Sequence, residues 1–403
     1  METAGFLLAG ERAHVSFLRP PSPPCPPEEL VEPISATSEA YGPQGGELPS
    51  EVVFSGPDAS PVLGFSLEQP GHYHFATFFS PVGGVFQSDL HAARDRSDQP
   101  PLSRLPSYCP SLERTTQGAW VCYSKVFRGD TQEAFFYNTH TAVAGDTVWV
   151  VSDTEVRRFV DTGTQLTLTD SLSDPDLHAE FLLPSPDELL VVRVGGLVRY
   201  TRDQGLVRSV TPTPWNGTEV GFQAPPAILL RDGDRLMFVS RLKIGAIPPL
   251  AEEACPYRLT ARGTERTQDA CQTLPGQVVG FEPDVLWLAE TGPSPTSQLL
   301  HRHVFKGGRL VEEGALNLDS AVEFVPQNLR LSNAVPVLRT PRLPGNSPDT
   351  LYAVVAWEPE RQELLLDALN PGITLPRASR SFYWGLVSPG GPEESSRIYP
   401  RPP

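Results

Sequence analysis

The sequence predicts an all-β protein in two parts, a short N-terminal β-sandwich followed by a β-propeller. The 44 prolines and 33 glycines among 403 residues leave little room for helices of more than a few turns. Short apolar runs alternate with turn residues along the whole chain. One phrase, a turn residue and Asp before an apolar strand, also recurs at the spacing of a propeller blade.

The recurring phrase starts at five aspartates: Asp146 (GDTVWVV), Asp187 (PDELLVV), Asp234 (GDRLMFV), Asp284 (PDVLWLA) and Asp349 (PDTLYAVVAW). The intervals are 41, 47, 50 and 65 residues. Four-stranded blades run about 40 to 50 residues, so the first three intervals fit. The last interval holds either an insertion or a blade whose phrase has drifted.

A second hairpin follows the phrase, as in LVRYTRDQGLVRSV from Leu197. Five such units cover about residues 140–376, residues 118–138 form another hairpin, and SFYWGLV from Ser381 supplies a closing strand. The sequence therefore predicts a propeller of six or seven blades. The alternative is an ordinary stack of β-hairpins in two sandwiches.

The N-terminal part lacks the Asp phrase and has alternating strands separated by Pro, Gly and Ser, which suits an Ig-like sandwich. We predict an Ig-like β-sandwich over residues 1–97, a linker over 98–107 and the β-propeller over 108–403. The stretch LEQPGHYHFATF from Leu67 resembles the penultimate hairpin of secreted Ig-like modules, where a Pro-Gly turn precedes an aromatic strand.

Composition excludes several classes of partner. The charge of 32 minus 48, or -16, disfavours nucleic acid and anionic bilayers. No apolar run reaches the roughly 18 to 20 residues that span a bilayer. AGFLLAG from Ala4 is too short for a secretion signal, so the protein is cytosolic or its export signal is absent from this chain. Three lysines against 29 arginines indicate a high-GC genome.

Five cysteines bear on the compartment. Cys109 and Cys122 lie 13 residues apart, and Cys255 and Cys271 lie 16 apart, so each pair can close a local loop. Two disulfides favour an oxidising compartment, whereas four buried thiols are the alternative. Cys25 has no evident partner.

No catalytic signature is present, so the catalytic residues stay unknown and no cofactor is predicted. His72 and His74 lie two apart, as do His301 and His303, so each pair shares a strand face. The sequence shows no carboxylate at a matching position, and we therefore predict no metal. Asp232 and Asp234 in RDGDR can hold calcium, but a polar turn also explains both.

Loops supply the candidate binding residues. Trp215 can stack on a sugar or a proline, although a core-anchoring role is the stronger interpretation, and Asn216 begins a glycosylation sequon. Residues 243–275, with Arg258 and Arg262, form the longest insertion between repeats and are the preferred recognition segment. The Pro-rich run 20–27 can form a polyproline II ligand or an inter-strand loop.

These features favour an exported binding or scaffolding protein, periplasmic or at the cell surface, whose propeller-face loops recognise a protein or glycan. The alternatives are a propeller enzyme, a glycan lyase or hydrolase with residues scattered over the central channel, and a cytosolic interaction protein. The chain resembles uncharacterised secreted bacterial proteins that join an Ig-like module to a propeller-like repeat array. That resemblance implies export and peripheral surface association.

Overall fold

The computed structural model describes most of the chain. The described residues are 5–16, 35–56, 59–80, 84–175, 177–193, 196–203, 205–212, 228–241, 252–260, 263–291, 297–319, 322–325, 333–341, 350–370, 372–387 and 395–401. All regular elements in these ranges are β-strands. Within them no helix is long and apolar enough to cross a membrane.

In the described residues seven units, here called blades 1–7, follow the N-terminal region; each has four paired strands, and one of them has a short fifth strand. Blade 1 contains β9 (Leu112–Arg114), β10 (Trp120–Cys122), β11 (Lys125–Arg128) and β12 (Thr131–Phe135). Blade 2 contains β13 (His140–Ala144), β14 (Thr147–Val151), β15 (Glu155–Asp161) and β16 (Leu166–Ser173). Blade 3 contains β17 (Ala179–Ser185), β18 (Glu188–Arg193), β19 (Gly196–Arg202) and β20 (Leu206–Pro212). Each blade is an antiparallel sheet whose strands pair in chain order.

Blades 4 to 6 continue the same pattern. Their strands are β21 (Ile228–Asp232), β22 (Arg235–Arg241), β23 (Glu252–Thr260), β24 (Gly263–Arg266) and the short β25 (Gln272–Thr273); β26 (Gln277–Glu282), β27 (Val285–Thr291), β28 (Ser297–Lys306) and β29 (Arg309–Asp319); and β30 (Glu323–Phe324), β31 (Val337–Pro341), β32 (Thr350–Glu358) and β33 (Glu363–Ala368). Blade 7 contains β34 (Thr374–Ala378), β35 (Phe382–Val387) and β36 (Ser395–Pro400), and its fourth strand is β8 (Ser103–Leu105) from the other end of the chain.

The Asp phrase has a constant position in the blades. Asp146, Asp187, Asp234 and Asp284 each immediately precede the second strand of their blade, from β14 to β27. The prediction that the phrase marks repeating units is confirmed. Asp349 lies outside the described residues, directly before β32. Within the interval of 65 residues the described strands form no additional blade.

The blades form a closed ring, as a β-propeller requires. Buried clusters join neighbouring blades all the way round. The ring closes between blades 7 and 1, where Leu105, Trp120 and Trp384 share one cluster and the Trp384 indole N–H donates to the Cys109 carbonyl at 2.7 Å. Because β8 completes blade 7, the two ends of the array are held by strand pairing. The described strands of the seven blades therefore form one closed ring rather than unrelated hairpins.

Arginines span several blade boundaries. The donor–acceptor pairs are Arg128 to Asp161, Arg158 to the Pro186 carbonyl, Arg231 to Glu188 and Arg401 to the Val355 carbonyl, at 2.8, 2.9, 2.6 and 2.8 Å. A guanidinium offers five donors in a planar fork and reaches two strands at once, which an ammonium does less well. The excess of Arg over Lys thus has a structural use besides its link to genome composition.

The N-terminal strands form two facing sheets. One sheet contains β1 (Phe6–Leu8), β3 (Ser35–Tyr41), β6 (Gly71–Ser80) and β7 (Gly84–Asp95), and the other contains β2 (Arg12–Ser16), β4 (Ser50–Gly56) and β5 (Ala59–Ser66). Their apolar faces meet in a cluster that includes Phe65, Tyr73 and Phe75. At the start of β6 the Tyr73 hydroxyl donates to the Gln69 carbonyl at 2.7 Å and thereby fixes the preceding turn.

This N-terminal layer is continuous with the propeller. β7 pairs in parallel with β33, so the first sheet and blade 6 form one eight-stranded sheet. Arg94 on β7 donates from Nε to Asp367 on β33 at 2.6 Å. The segment predicted as a linker, residues 98–107, contributes β8 to blade 7.

The insertion predicted over residues 243–275 is largely part of blade 4, and that prediction is wrong. β23, β24 and β25 lie within it and pair with the rest of the blade. The segment does not repeat the Asp phrase, and β23 is revealed by its pairing with β22. Residues 242–251 and 261–262 lie outside the described residues.

Candidate functional site

An aromatic surface lies at one end of blade 1. We define it by Tyr123, Phe135, Tyr137 and His140. Phe135 is 54% exposed and Tyr137 is 77% exposed, and their rings meet edge to face with centroids 6.5 Å apart. The Tyr123 and His140 rings meet at 6.3 Å and 87°. Large exposed aromatic rings side by side are unusual on a protein surface that binds nothing.

The chain connectivity puts both aromatic pairs at the same end of the blade. Tyr123 lies in the turn between β10 and β11, and residues 136–139 connect β12 to β13. Because the strands run antiparallel, alternate connections lie at the same end. The backbone N–H of Phe136 donates to the Ser124 carbonyl at 2.8 Å, which joins the two connections directly.

Several contacts make this surface rigid. The Phe136 side chain turns inward and packs on Phe159 of blade 2 at 5.2 Å, so its two neighbours in sequence turn outward. The Thr141 hydroxyl donates to the Tyr123 carbonyl. The Cys109–Cys122 disulfide ends one residue before Tyr123. The aromatic surface is therefore held by a covalent link and by the neighbouring blade.

A first group of titratable side chains, the junction cluster, lies where the N-terminal layer meets blade 5. It contains His72, His74, Asp89, His91 and Asn317. His72 is directly opposite His91 across β6 and β7, and His74 is opposite Asp89. Asp89 Oδ1 lies 3.0 Å from His72 Nε2 and 2.9 Å from His74 Nδ1, and Asp89 Oδ2 accepts from the Asn317 amide at 3.3 Å.

Hydrogen bonding and burial set the charges in the junction cluster. The hydrogen bond with His72, followed by that with His74, lowers the pKa of Asp89 to about 2 despite partial burial. Burial, reinforced by nearby His72, lowers the pKa of His91 to about 4. His91 Nε2 lies 2.5 Å from the Asn317 carbonyl, so the buried neutral ring has a partner. At neutral pH the cluster contains an ionised Asp89 and a neutral His91.

A second group, the blade 5 cluster, contains Glu290, His301, His303 and Glu312. The two histidines face blade 4, because their cross-strand partners Leu288 and Leu286 are buried in the cluster between blades 4 and 5. Glu312 is directly opposite His303. His301 Nε2 lies 3.3 Å from Glu290 Oε1, and His301 Nδ1 lies 3.3 Å from Glu312 Oε1.

The blade 5 cluster is close-packed but not hydrogen-bonded. Neither ring nitrogen of His301 has a hydrogen-bond partner among the described residues, and neither has Nδ1 of His303. His303 Nε2 lies 4.0 Å from Glu312 Oε2. Burial lowers the pKa of His303, which is thus neutral at pH 7.

Both clusters correct the sequence-based interpretation of the histidine pairs. The sequence showed no carboxylate at a matching position, yet Asp89, Glu290 and Glu312 all stand beside the histidines. The carboxylates come from neighbouring strands, so only the strand register reveals them. A distance along the chain carries no information about that register.

Of the predicted binding residues, Arg258 alone is described. Its Nε donates to Asp234 Oδ2 at 2.7 Å on the surface of blade 4. Asp232 Oδ2 accepts from the Gly307 backbone of blade 5 at 2.7 Å, so both aspartates have protein partners. Trp215, Asn216, Arg262, Cys25 and the Pro-rich run 20–27 lie outside the described residues.

Two disulfides join the cysteine pairs that the sequence predicts, Cys109 to Cys122 and Cys255 to Cys271. The Arg266 guanidinium lies 3.1 Å from the sulfur of Cys271. Glu253 stands close to the second disulfide, but the two sulfurs are bonded to each other and are not free to bind a metal.

No known protein family and no curated protein matches the sequence. Solved structures with similar folds include the WD40 domain of SCAP from fission yeast, at 10% identity, covering 75% of this chain and 96% of that chain, TM-score 0.34. A quinonprotein alcohol dehydrogenase-like protein from Bacteroides thetaiotaomicron matches at 8% identity over 99% of this chain and 96% of that chain, TM-score 0.35. Hsv2 from Kluyveromyces lactis matches at 9% identity over 72% and 97%, TM-score 0.37.

The aromatic surface was missed by the sequence-based reasoning although a signal for it existed. The run Phe135–Tyr137 begins at the last residue of β12, and in an extended segment residues two apart share a side. Phe135 and Tyr137 therefore had to face together, opposite to Phe136. The sequence did not tell which side would meet blade 2 and which would meet solvent.

Proposed function

We propose that this chain is an exported binding protein that recognises a protein or glycan through the aromatic surface of its first blade. The observation that carries the proposal is the pair Phe135 and Tyr137, two large rings held side by side in solvent. Aromatic residues dominate recognition sites because each ring buries a large apolar area while losing few rotamers.

Rigidity supports a recognition role for this surface. Binding costs less free energy when the contact residues are already ordered, since no loop has to be fixed on association. Here Phe136 anchors the segment against Phe159, and the Cys109–Cys122 disulfide closes the neighbouring turn. The polar side chains of Tyr123 and His140 lie at the same end of the blade and can orient a ligand.

The two disulfides support an oxidising location such as the periplasm or the cell surface. Each disulfide closes a short loop within a single blade. In the cytosol, reductants would keep the same cysteines as thiols. Protein purified from its native host without reductant should then show one free thiol, from Cys25, rather than five.

The N-terminal layer fits an Ig-like module on a seven-bladed propeller. Seven strands in two facing sheets, with β1 parallel to β7, match the order of such modules. The Tyr73 hydroxyl bonded to the Gln69 carbonyl matches the tyrosine corner of these folds. We therefore propose that residues 1–97 are an Ig-like module, with β8 as the strand that leads into the ring.

The binding proposal is tested with the double variant Phe135→Ser/Tyr137→Ser. Wild-type protein is screened on a glycan array and against a displayed peptide library, and the affinity of each hit is then measured for both proteins. We expect at least about tenfold weaker binding in the variant, because hot-spot aromatics contribute about 2 kcal/mol or more.

The matched control is Leu168→Ser/Val207→Ser, which removes two side chains of similar exposure from the outer strands of blades 2 and 3. Its affinities should stay within about twofold of wild type. Equal affinities for wild type and the blade 1 variant, or an equal loss in the control, would rule out this surface as the binding site. A glycan hit and a peptide hit distinguish the two classes of ligand.

A further inference from the structure

We propose that His301, His303 and Glu312 form a binding site for a divalent transition metal such as Zn²⁺ on blade 5, with Glu290 as the hydrogen-bond partner of His301. The site lies on a different blade from the aromatic surface and does not depend on it. Neutral imidazole nitrogens and a carboxylate are the donors that Zn²⁺ prefers.

Strand register brings these residues together. β27, β28 and β29 are neighbours in one antiparallel sheet, and residues that are directly opposite share a face. His303 stands opposite Glu312, and His301 lies two residues before it on the same strand. Arg302 points to the other face, over Trp287 and Trp357, so its charge is directed away from the site.

The unpartnered nitrogens of His301 point to a ligand. The residue is 9% exposed, and both ring nitrogens lie 3.3 Å from carboxylate oxygens without forming a hydrogen bond. A buried polar atom without a partner is destabilising, because it has lost its hydrogen bonds to water and gained none. The donor atoms are thus near one another but not directed at one another, as expected for ligands that surround a common point.

Two of the donor pairs have separations close to those of a coordination sphere, whereas the two imidazoles stand too far apart to share an ion without moving. Ligands at about 2.0 to 2.2 Å from Zn²⁺ stand roughly 3.5 Å apart in a tetrahedron. His301 Nδ1 and Glu312 Oε1 are 3.3 Å apart, and His303 Nε2 lies 4.0 Å from Glu312 Oε2. The His301 and His303 ring centroids are 6.0 Å apart, so metal binding has to draw the two rings together. Glu312 is half exposed and can move with them.

Each ring nitrogen then has a role. His301 binds the ion through Nδ1, and a turn of the ring toward the ion directs its Nε2–H at Glu290, whose carboxylate lies 3.3 Å from Nε2. A carboxylate behind a metal-bound histidine fixes the tautomer and raises the basicity of the ring. His303 binds through Nε2, which lies 4.0 Å from Glu312 Oε2. With Glu312 these make three protein ligands, and the remaining position is open to water.

The test is a titration of the full-length chain, stripped of metal with chelator, using Zn²⁺ alone and isothermal calorimetry. Cys25→Ser is included in every protein, because a free thiol also binds Zn²⁺. We expect one equivalent to bind, with a rise in thermal midpoint on Zn²⁺ addition. Co²⁺ in its place should give visible absorption bands with imidazole and carboxylate ligands.

Variants assign the ligands. Glu312→Gln and His303→Gln should weaken Zn²⁺ binding at least about 100-fold, and Glu290→Gln should weaken it about 10- to 100-fold. Glu312→Gln changes a half-exposed side chain, so its fold should be intact, as circular dichroism would show. The matched control His72→Gln/His74→Gln removes the other histidine pair and should leave the affinity unchanged.

The outcomes decide the proposal directly. Binding of less than half an equivalent, binding that survives Glu312→Gln, or binding that is lost in the His72→Gln/His74→Gln control would overturn it. Loss with Glu312→Gln and His303→Gln, partial loss with Glu290→Gln, and none with the control would establish it.

Discussion

The junction cluster and the blade 5 cluster contain the same kinds of side chain and differ in how these side chains are used. Each has histidines two apart on one strand and a carboxylate within 3.3 Å of at least one of them. At the junction Asp89 is hydrogen-bonded and His91 contacts the Asn317 carbonyl. In blade 5 the nitrogens of His301 have no partner among the described residues.

This difference separates a structural cluster from a candidate ligand site. In the junction cluster Asp89 and the histidines are hydrogen-bonded to one another or to Asn317, although Asn317 Oδ1 is itself buried without a partner among the described residues. These hydrogen bonds contribute to the contact between the two layers. A cluster whose buried nitrogens are unsatisfied carries a cost that a bound cation would relieve. Residue types alone did not distinguish them; the directions of the donor atoms did.

The largest expected effect is a loss of folding stability in acid that is caused by protonation of His91. Its pKa is about 4 in the folded protein against about 6.5 unfolded, so on acidification the unfolded chain takes up the proton first. The contribution of the neutral His91 to the free energy of unfolding is complete above pH 6.5 and is lost as the pH falls toward 4. About 2.5 pKa units correspond to about 3 kcal/mol.

Urea unfolding at several pH values between 7 and 4 measures this loss, and His91→Gln should flatten the curve. Below that range Asp89 should add a further loss between pH 3.8 and about 2, since its folded pKa is also lowered. If His91→Gln lost stability with falling pH as steeply as wild type, the lowered pKa of His91 would not be the cause of that loss.

The next effect contrasts two carboxylates in metal-free protein. Asp89→Asn removes the charged acceptor shared by two histidines and should lower the free energy of unfolding by about 1 kcal/mol at pH 7, reduced because the group is partly exposed. Glu312→Gln should change it by less than about 0.5 kcal/mol, because Glu312 makes no hydrogen bond to either histidine. If the two variants lost equal stability, the contrast between the clusters would be mistaken.

The smallest effect has the opposite sign. His301→Leu in chelator-treated protein should leave the free energy of unfolding unchanged or raise it by about 0.5 kcal/mol, because it removes two buried unpartnered nitrogens from an apolar interface. Denaturant unfolding measures the change. A clear loss of stability would indicate that His301 makes a stabilising contact in the metal-free state.

Blade 4 shows where prediction from the sequence stopped. Gly-Asp before an apolar run placed Asp234 in the turn before β22 correctly, because turn chemistry is local. β23 was taken for part of an insertion between repeats, whereas pairing with β22 and the Cys255–Cys271 disulfide hold it in the sheet. Contacts from neighbouring strands overrode the local signal.

The sequence by itself determined the all-β class, the repeat marked by the Asp phrase and the two cysteine pairs, since turn preference, side-chain alternation and short loop closure all act over a few residues. Only the tertiary structure decided that β8 closes blade 7, that β7 extends blade 6, and that Asp89, Glu290 and Glu312 stand beside the histidines. These contacts depend on strand register and on which blade faces which. Both are set by the packing of segments that are far apart in the chain.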